Sequence, residues 1–210
     1  MMKILIADDH AIVRRGLVQI IADSPDSIIV EEASDGEEAL AKADNGDFDL
    51  VMLDISMPGR SGLDVLKELK SRNPRLPVLI LSMHPEEQYA VRALRCGASG
   101  YLAKGSASDD LLFAINKVLS GGKFISSSLA EKLAEALDSN SEKAPHETLS
   151  NREYQVMQMI ASGKTTSEIA ADVSLSVKTI STFRARVMRK MKMKNNAELT
   201  HFAISNKLVE

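Results

Sequence analysis

Five polar side chains in the first half of the chain each stand at the end of a short apolar run: Asp8, Asp9, Asp54, Ser82 and Lys104. Neighbouring carboxylates cannot all stay ionised without a cation, and hard oxygen ligands suit Mg²⁺. A carboxylate beside such an ion can attack phosphorus, while an ammonium group neutralises the transferred oxygens. The residue types therefore predict a magnesium-dependent phosphoryl-acceptor site, with Asp54 as the nucleophile.

The elements that must position these residues follow a repeated strand and helix order. We predict strands at Lys3–Ala7, Ile28–Glu32, Leu50–Leu53, Val78–Leu81 and Gly100–Ala103, and helices at Ala11–Ala22, Gly36–Asn45, Gly62–Ser71, Pro85–Cys96 and Ser108–Ser120. This order predicts an α/β domain with a doubly wound, five-stranded parallel sheet. Because ligands collect at the carboxyl ends of such strands, the five polar residues should meet at one edge.

Each of these residues also has a structural interpretation. Asp9 could cap the helix that begins near Ala11, Asp54 could be a turn residue before Pro58, and Ser82 and Lys104 could be exposed loop residues. Four separate strand ends that supply complementary chemistry favour a common site over these single explanations.

The last part of the chain is helical in pattern. We predict four helices, at Glu153–Ser162, Thr166–Val173, Val177–Met191 and Asn196–Ser205, with a turn at Ser174–Ser176 in which Ser176 is the candidate cap. Two helices around a short turn indicate a helix-turn-helix, and the domain should be all-α.

The helix at Val177–Met191 has two different faces. Ile180, Val187 and Met191 form a stripe suited to the core. Small polar groups and cations, Lys190 among them, occupy the other face, and the residues expected to contact DNA are Lys178, Thr179, Ser181, Thr182, Arg184, Ala185, Arg186 and Arg189. Early residues can read base edges while Arg and Lys bind phosphates. The alternative is a solvated cationic face on an ordinary helical bundle.

Composition and charge agree with a protein of two domains. Residues 1–147 carry 16 Lys and Arg against 24 Asp and Glu, whereas residues 148–210 carry a net charge of +5, which suggests a phosphate-bearing partner for the basic part. We expect domains at residues 1–122 and 148–210, with a linker containing a helical segment at 123–147.

A single cysteine, Cys96, and the lack of a long apolar run favour the cytoplasm and no membrane partner. The dispersed histidines give no metal-ligand spacing.

The motifs of the first domain resemble a known family. Asp8-Asp9, Leu53-Asp54-Ile-Ser-Met-Pro-Gly59, Ser82 and Gly100-Tyr101-Leu-Ala-Lys104 are similar to the receiver domain of two-component response regulators, which has a CheY-like (flavodoxin-like) fold. The resemblance spans residues 3 to about 120. It implies phosphoryl transfer from a cognate sensor histidine kinase to Asp54, Mg²⁺ held by Asp8, Asp9, Asp54 and the Ser56 carbonyl, and a switch through Ser82 and Tyr101.

The second domain resembles the NarL/LuxR-type helix-turn-helix from Leu149 to Met193. This resemblance implies sequence-specific binding of double-stranded DNA, with Thr166 added to the candidate contacts. It also implies a homodimer on phosphorylation, formed through the helix at about Asn195–Ser205, and RNA polymerase as a further candidate partner.

Together these features predict a response regulator transcription factor that is not an enzyme. One alternative is an aspartyl-phosphate phosphatase, but Asp54-Ile-Ser lacks the second acidic residue that would act as general acid. The other alternative is a DNA-binding protein whose first domain serves only as a scaffold and no longer uses phosphate.

Overall fold

The computed structural model describes the whole chain except residues 25–26, 85, 107, 128, 132–143 and 210, and it leaves out the side chains of residues 87 and 88. Pro85, the predicted first residue of the fourth helix, lies outside the described residues, as do residues 128 and 132–143 of the predicted linker at 123–147. The chain forms two compact units, Met1–Ala134 and Glu135–Glu210.

The first unit is built around a five-stranded sheet. The strands are β1 (Met2–Ala7), β2 (Ile28–Ala33), β3 (Leu50–Asp54), β4 (Val78–Ser82) and β5 (Gly100–Ala103). All neighbouring strands pair in parallel, in the order β2-β1-β3-β4-β5. The predicted doubly wound, CheY-like sheet is therefore confirmed.

Helices cover both faces of this sheet: α1 (Ala11–Ala22), α2 (Gly36–Asn45), α3 (Gly62–Arg72), α4 (Glu86–Arg95) and α5 (Ser108–Leu119). Ile21 of α1 and Ile115 of α5 pack with alternate residues of the central strands, such as Met52 and Leu79, in one hydrophobic core. Every residue of β3 and β4 is buried, as is usual for strands covered on both faces. β3 and β4 therefore carry polar residues only where they end, at Asp54 and Ser82.

A glycine lets α3 begin directly against the end of β3. A Cβ atom on Gly62 would lie 1.9 Å from the backbone oxygen of Asp54, far inside van der Waals contact. The amide of Gly62 also donates to the carbonyl of Ile55 at 3.0 Å. Gly62 therefore allows the helix to support the backbone of the candidate acceptor.

The chain that follows α5 returns to the outer side of β5. Gly100 forms a parallel bridge with Phe124, and the amide of Tyr101 donates to the Phe124 carbonyl at 3.2 Å. Leu129 is buried, and residues 127–131 are helical apart from the undescribed residue 128. This stretch, residues 123–131, is called the arm below.

The second unit is all-α in the residues that the structure describes. A 3₁₀ helix at Pro145–Thr148 precedes α6 (Asn151–Ala161), α7 (Thr166–Asp172), α8 (Val177–Met191) and α9 (Asn196–Ser205). Capping boxes, Ser150 with Glu153 and Thr165 with Glu168, begin α6 and α7. The predicted helices are present, with α6 beginning two residues earlier than the apolar pattern indicated. No helix among the described residues is long and apolar enough to cross a membrane.

We predict that Gly62→Ala destabilises the first unit by about 1–3 kcal/mol, because the added methyl group must displace the backbone of Asp54. Chemical denaturation of the full chain, followed by circular dichroism, measures the effect. Gly16→Ala is the control, since Gly16 lies inside α1 and, apart from its chain neighbours and the surrounding helix backbone, no atom lies within 4 Å of the place that a methyl group would take. Alanine also favours a helix by up to about 1 kcal/mol. Equal stability of the two variants would contradict the packing argument.

Candidate functional site

The predicted acceptor residues meet at the carboxyl edge of the sheet. Asp54 and Ser82 are the last residues of β3 and β4, while Asp8 and Lys104 directly follow β1 and β5. The parallel register holds these strand ends level, pairing Asp54 with Leu81 and Ser82 with Ala103. Sheet topology thus brings distant parts of the chain together, as the sequence predicted.

Lys104 links two buried carboxylates at this edge. Its Nζ atom lies 2.6 Å from Asp8 Oδ2 and 3.0 Å from Asp54 Oδ2. The Lys104 side chain is only 4% exposed, and both carboxylates are almost fully buried. Buried charges are tolerated when they are paired, so Lys104 compensates for much of the cost of placing two acidic groups here.

Burial raises the pKa of Asp54 above its ordinary value near 3.8. The Lys104 ammonium opposes this rise, the negative charge of Asp8 adds to it, and bonds from Lys104 and the Ser56 backbone amide lower the pKa. The dominant cause is loss of solvation of the charged form. A positive charge that neutralises the ionised Asp54 will therefore stabilise the folded unit.

Asp9 and His10 lie beside these carboxylates and complete a cluster of four side chains with Asp8 and Asp54. The His10 Nδ1 atom lies 2.7 Å from Asp9 Oδ1 and 3.4 Å from Asp8 Oδ1. The alternative role of Asp9 as the cap of α1 is wrong: the N-cap residue is His10, whose side chain makes no capping hydrogen bond. Asp8 Oδ1 instead accepts a bond from the His10 amide at 2.9 Å.

The donor set fits a divalent cation. One ligand atom from each of Asp8, Asp9, His10 and Asp54 lies within 4.8 Å of the others. Lys104 pairs with Asp8 and Asp54, and Asp9 adds a third carboxylate to the cluster, so carboxylates outnumber this ammonium, and oxygen ligands suit Mg²⁺. His10 was missed from the sequence because its relevance comes from direct adjacency to Asp9 rather than from spaced ligands.

His84 joins the residues around the acceptor, and sequence reasoning also missed it. Its backbone amide donates to Ser82 Oγ at 3.0 Å, its Nε2 atom lies 3.1 Å from Ser56 Oγ, and its carbonyl accepts from the Tyr101 hydroxyl at 2.9 Å. Burial, followed by the charge of Lys104, lowers the pKa of His84. Both predicted switch residues, Ser82 and the buried Tyr101, therefore bond to the backbone of His84.

The second unit forms the predicted helix-turn-helix. Ser176 is the N-cap of α8, and its hydroxyl accepts from the Thr179 amide at 3.1 Å. Ile180, Val187 and Met191 are buried, as their spacing predicted. The opposite face of α8 is exposed to solvent at Lys178, Ser181, Thr182, Ala185, Arg186 and Arg189. Thr179 and Arg184 of the same helix are partly exposed, as is Thr166 of α7.

Some polar residues of α8 have partners inside the domain. Arg184 Nε donates to Asn196 Oδ1 at 2.9 Å, which connects α8 to the start of α9. Lys190 Nζ lies 2.5 Å from Glu153 Oε2. Burial favours a higher pKa for Glu153, but hydrogen bonds from Lys190 and Ser150 outweigh it, and the pKa is lowered. Lys190, one of the cations on the predicted DNA-facing side, thus holds α8 against α6.

Comparison with known proteins agrees with both parts of this architecture. The response regulator receiver domain matches residues 4–116, and the description "bacterial regulatory proteins, luxR family" matches residues 147–203. The chain therefore belongs to the response regulators: it has a receiver domain followed by a LuxR-type DNA-binding domain, the organisation of a transcription regulator.

Relatives of this kind match nearly the whole chain. Response regulator UvrY of Escherichia coli K12 is 34% identical over 99% of this chain and 96% of that protein. Oxygen regulatory protein NreC of Staphylococcus carnosus is 35% identical over the full length of both. RcsB from Salmonella enterica serovar Typhimurium, solved with the promoter rprA and the phosphomimetic BeF₃⁻, has a TM-score of 0.65 at 26% identity, covering 98% of this chain and 100% of that one.

We predict that Asp54→Asn raises the unfolding temperature of the receiver at pH 7 in the presence of a chelator. The raised pKa of Asp54 means that its ionised form is disfavoured by folding. This cost is complete above the folded pKa and disappears as the pH falls below about 3.8, the unfolded value. Excess Mg²⁺ should reduce the difference, because a bound cation stabilises the wild-type carboxylates.

Differential scanning calorimetry at several pH values, with chelator or Mg²⁺, tests this expectation. Asp47→Asn is the matched control, since Asp47 is exposed. A wild-type receiver that is more stable than Asp54→Asn in chelator at pH 7 would contradict the assigned sign.

Proposed function

We propose that Asp54 accepts a phosphoryl group from a sensor histidine kinase and that this modification controls binding of double-stranded DNA by α8. The observation that carries the proposal is the Lys104 ammonium, which lies within 3.0 Å of carboxylate oxygens of both Asp8 and Asp54. Lys104 is thus placed to neutralise charge on a phosphoryl group at Asp54.

The chemistry assigned to this chain is one transfer step. A carboxylate oxygen of Asp54 forms a bond to phosphorus while the bond from phosphorus to the kinase imidazole nitrogen breaks, and that nitrogen keeps the electron pair. Mg²⁺, held by Asp8, Asp9, Asp54 and the Ser56 carbonyl, would supply further charge neutralisation. Lys104 loses its short contact with Asp54 as the carboxylate becomes an acyl phosphate and can then bind a phosphoryl oxygen.

Ser82 and Tyr101 are the proposed switch residues. The Ser82 hydroxyl accepts the His84 amide, and the Tyr101 hydroxyl donates to the His84 carbonyl. If Ser82 turns towards the phosphoryl group, the loop containing His84 loses one of its bonds. The position of Tyr101 should change with that loop.

A phosphatase function is less well supported by the site. A phosphatase needs a general acid near the aspartyl phosphate, whereas the residue two positions after Asp54 is Ser56, whose hydroxyl contacts His84. The protein is therefore proposed to hold the phosphoryl group as a signal rather than to turn over a substrate.

The remaining assignments rest on family membership and on the DNA-binding face. We assign the receiver to residues 1–122, the linker to 123–147 and the DNA-binding domain to 148–210. Phosphorylation favours a homodimer, RNA polymerase is a further candidate partner, and the DNA target places the protein in the cytoplasm. The proposed DNA contacts are Thr166, Lys178, Thr179, Ser181, Thr182, Arg184, Ala185, Arg186 and Arg189.

We predict that Asp54→Asn abolishes labelling of the full chain by radioactive acetyl phosphate with Mg²⁺, since an amide cannot form the acyl phosphate. Asp47→Asn, the exposed control, should label at the wild-type level. Scintillation counting of the protein fraction after rapid gel filtration at neutral pH gives the stoichiometry. Full labelling of Asp54→Asn would refute the assignment of the nucleophile.

For DNA binding, we predict that Arg186→Ala and Arg189→Ala each weaken affinity for all sequences. Each should also reduce the steepness of the plot of log association constant against log salt concentration by about 1. Ser181→Ala should instead change the relative affinity among sequences by about 1 kcal/mol or more, because it lies near the start of α8. Selection from a random DNA pool supplies the sequences, and fluorescence anisotropy measures the binding.

Lys67→Ala is the control for lost positive charge, since Lys67 is an exposed residue of α3 in the receiver. Loss of DNA affinity in Lys67→Ala equal to that in Arg186→Ala would show that general charge, rather than the face of α8, determines binding.

A further inference from the structure

The arm, residues 123–131, is attached to the receiver at β5, the strand that carries Tyr101, and at the residues just before it. Besides the bond from the Tyr101 amide, the Phe124 amide donates to the Ser99 carbonyl at 3.0 Å, and Lys123 Nζ donates to the Ala98 carbonyl at 2.9 Å. A Cβ atom on Gly100 would lie 2.8 Å from the Phe124 carbonyl oxygen, so glycine permits this close approach. The arm is therefore bonded to the backbone on both sides of Gly100, at Tyr101 within β5 and at Ser99 just before it.

A second attachment joins the arm to the first residue of α4. The amide of Ser126 donates to Glu86 Oε1 at 3.4 Å, and its hydroxyl donates to Glu86 Oε2. The same hydroxyl accepts the Leu129 amide at 3.1 Å, so Ser126 caps the helical turn of the arm. Glu86 thus positions the residue at which the arm changes from an extended to a helical backbone.

The two attachments meet elements that border the acceptor. His84, which contacts Ser82 and Tyr101, lies two residues before Glu86. Tyr101 is bonded to His84 through its hydroxyl and to the arm through its amide. A change at Ser82 can therefore reach the arm by two short routes, one through Glu86 and one through Tyr101.

The covalent connection to the DNA-binding domain begins where the arm ends. We propose that Glu86 is a positioning residue that, through Ser126, couples phosphorylation of Asp54 to the part of the linker beyond the arm. This inference rests on the proposed function, because it requires phosphorylation to alter DNA binding. The Glu86–Ser126 contact differs between the two states of the receiver and carries part of their coupling.

The test uses the full-length chain with Glu86→Gln and Ser126→Ala, and Glu131→Gln as control, because Glu131 is an exposed carboxylate on the same arm. Labelling by acetyl phosphate measures modification at Asp54. DNA affinity with and without acetyl phosphate gives an activation ratio, measured on a sequence selected with the wild-type protein. Hydrogen exchange of residues 123–131 reports directly on the arm.

We expect normal labelling in all three variants. The activation ratio should fall by roughly fivefold or more in Glu86→Gln and Ser126→Ala, and stay at the wild-type value in Glu131→Gln. In the wild type, phosphorylation should change hydrogen exchange in the arm, and the two variants should reduce that change.

Normal labelling with an unchanged activation ratio and unchanged exchange in Glu86→Gln and Ser126→Ala would overturn the coupling role while leaving the proposed function intact. Equal DNA affinity of the wild type with and without phosphorylation would instead refute the proposed function, and the coupling role with it.

Discussion

The receiver depends on the pairing of one buried ammonium with two buried carboxylates. Without Lys104, the carboxylates of Asp8 and Asp54 would repel each other in a region where water cannot screen them. With Lys104 in place, the cluster of carboxylates remains short of positive charge. This shortage makes the site receptive to a divalent cation and to the transfer of an electrophilic phosphorus atom, so the cost of burying these charges and the chemical function have the same origin.

Much of this arrangement could be predicted from the sequence because strand order and strand ends are local properties. Apolar runs mark β3 and β4, and the polar residue that ends each run must lie at the carboxyl edge. The contacts of His10 and His84 could not be predicted, since they depend on loop backbones. Nothing in the spacing of His84 indicates that its amide, ring and carbonyl bind three different partners.

The DNA-binding domain shows the same division. Periodicity identified the buried stripe of α8 and the turn before it. It did not distinguish a free cation from one that contacts another helix, and so Lys190 was grouped with the DNA-facing residues although it pairs with Glu153. Partners of long, flexible side chains depend on neighbouring helices, and their identity requires the tertiary structure.

The strand-like pairing of Phe124 with Gly100 has a consequence for where the receiver can be cut. A fragment that stops at residue 122 would leave the outer backbone groups of β5 without partners, and such open sheet margins promote self-association between copies. A fragment that extends through Glu131 retains its own covering segment. Apparent oligomers of a shortened receiver would then reflect the lost segment rather than a natural assembly.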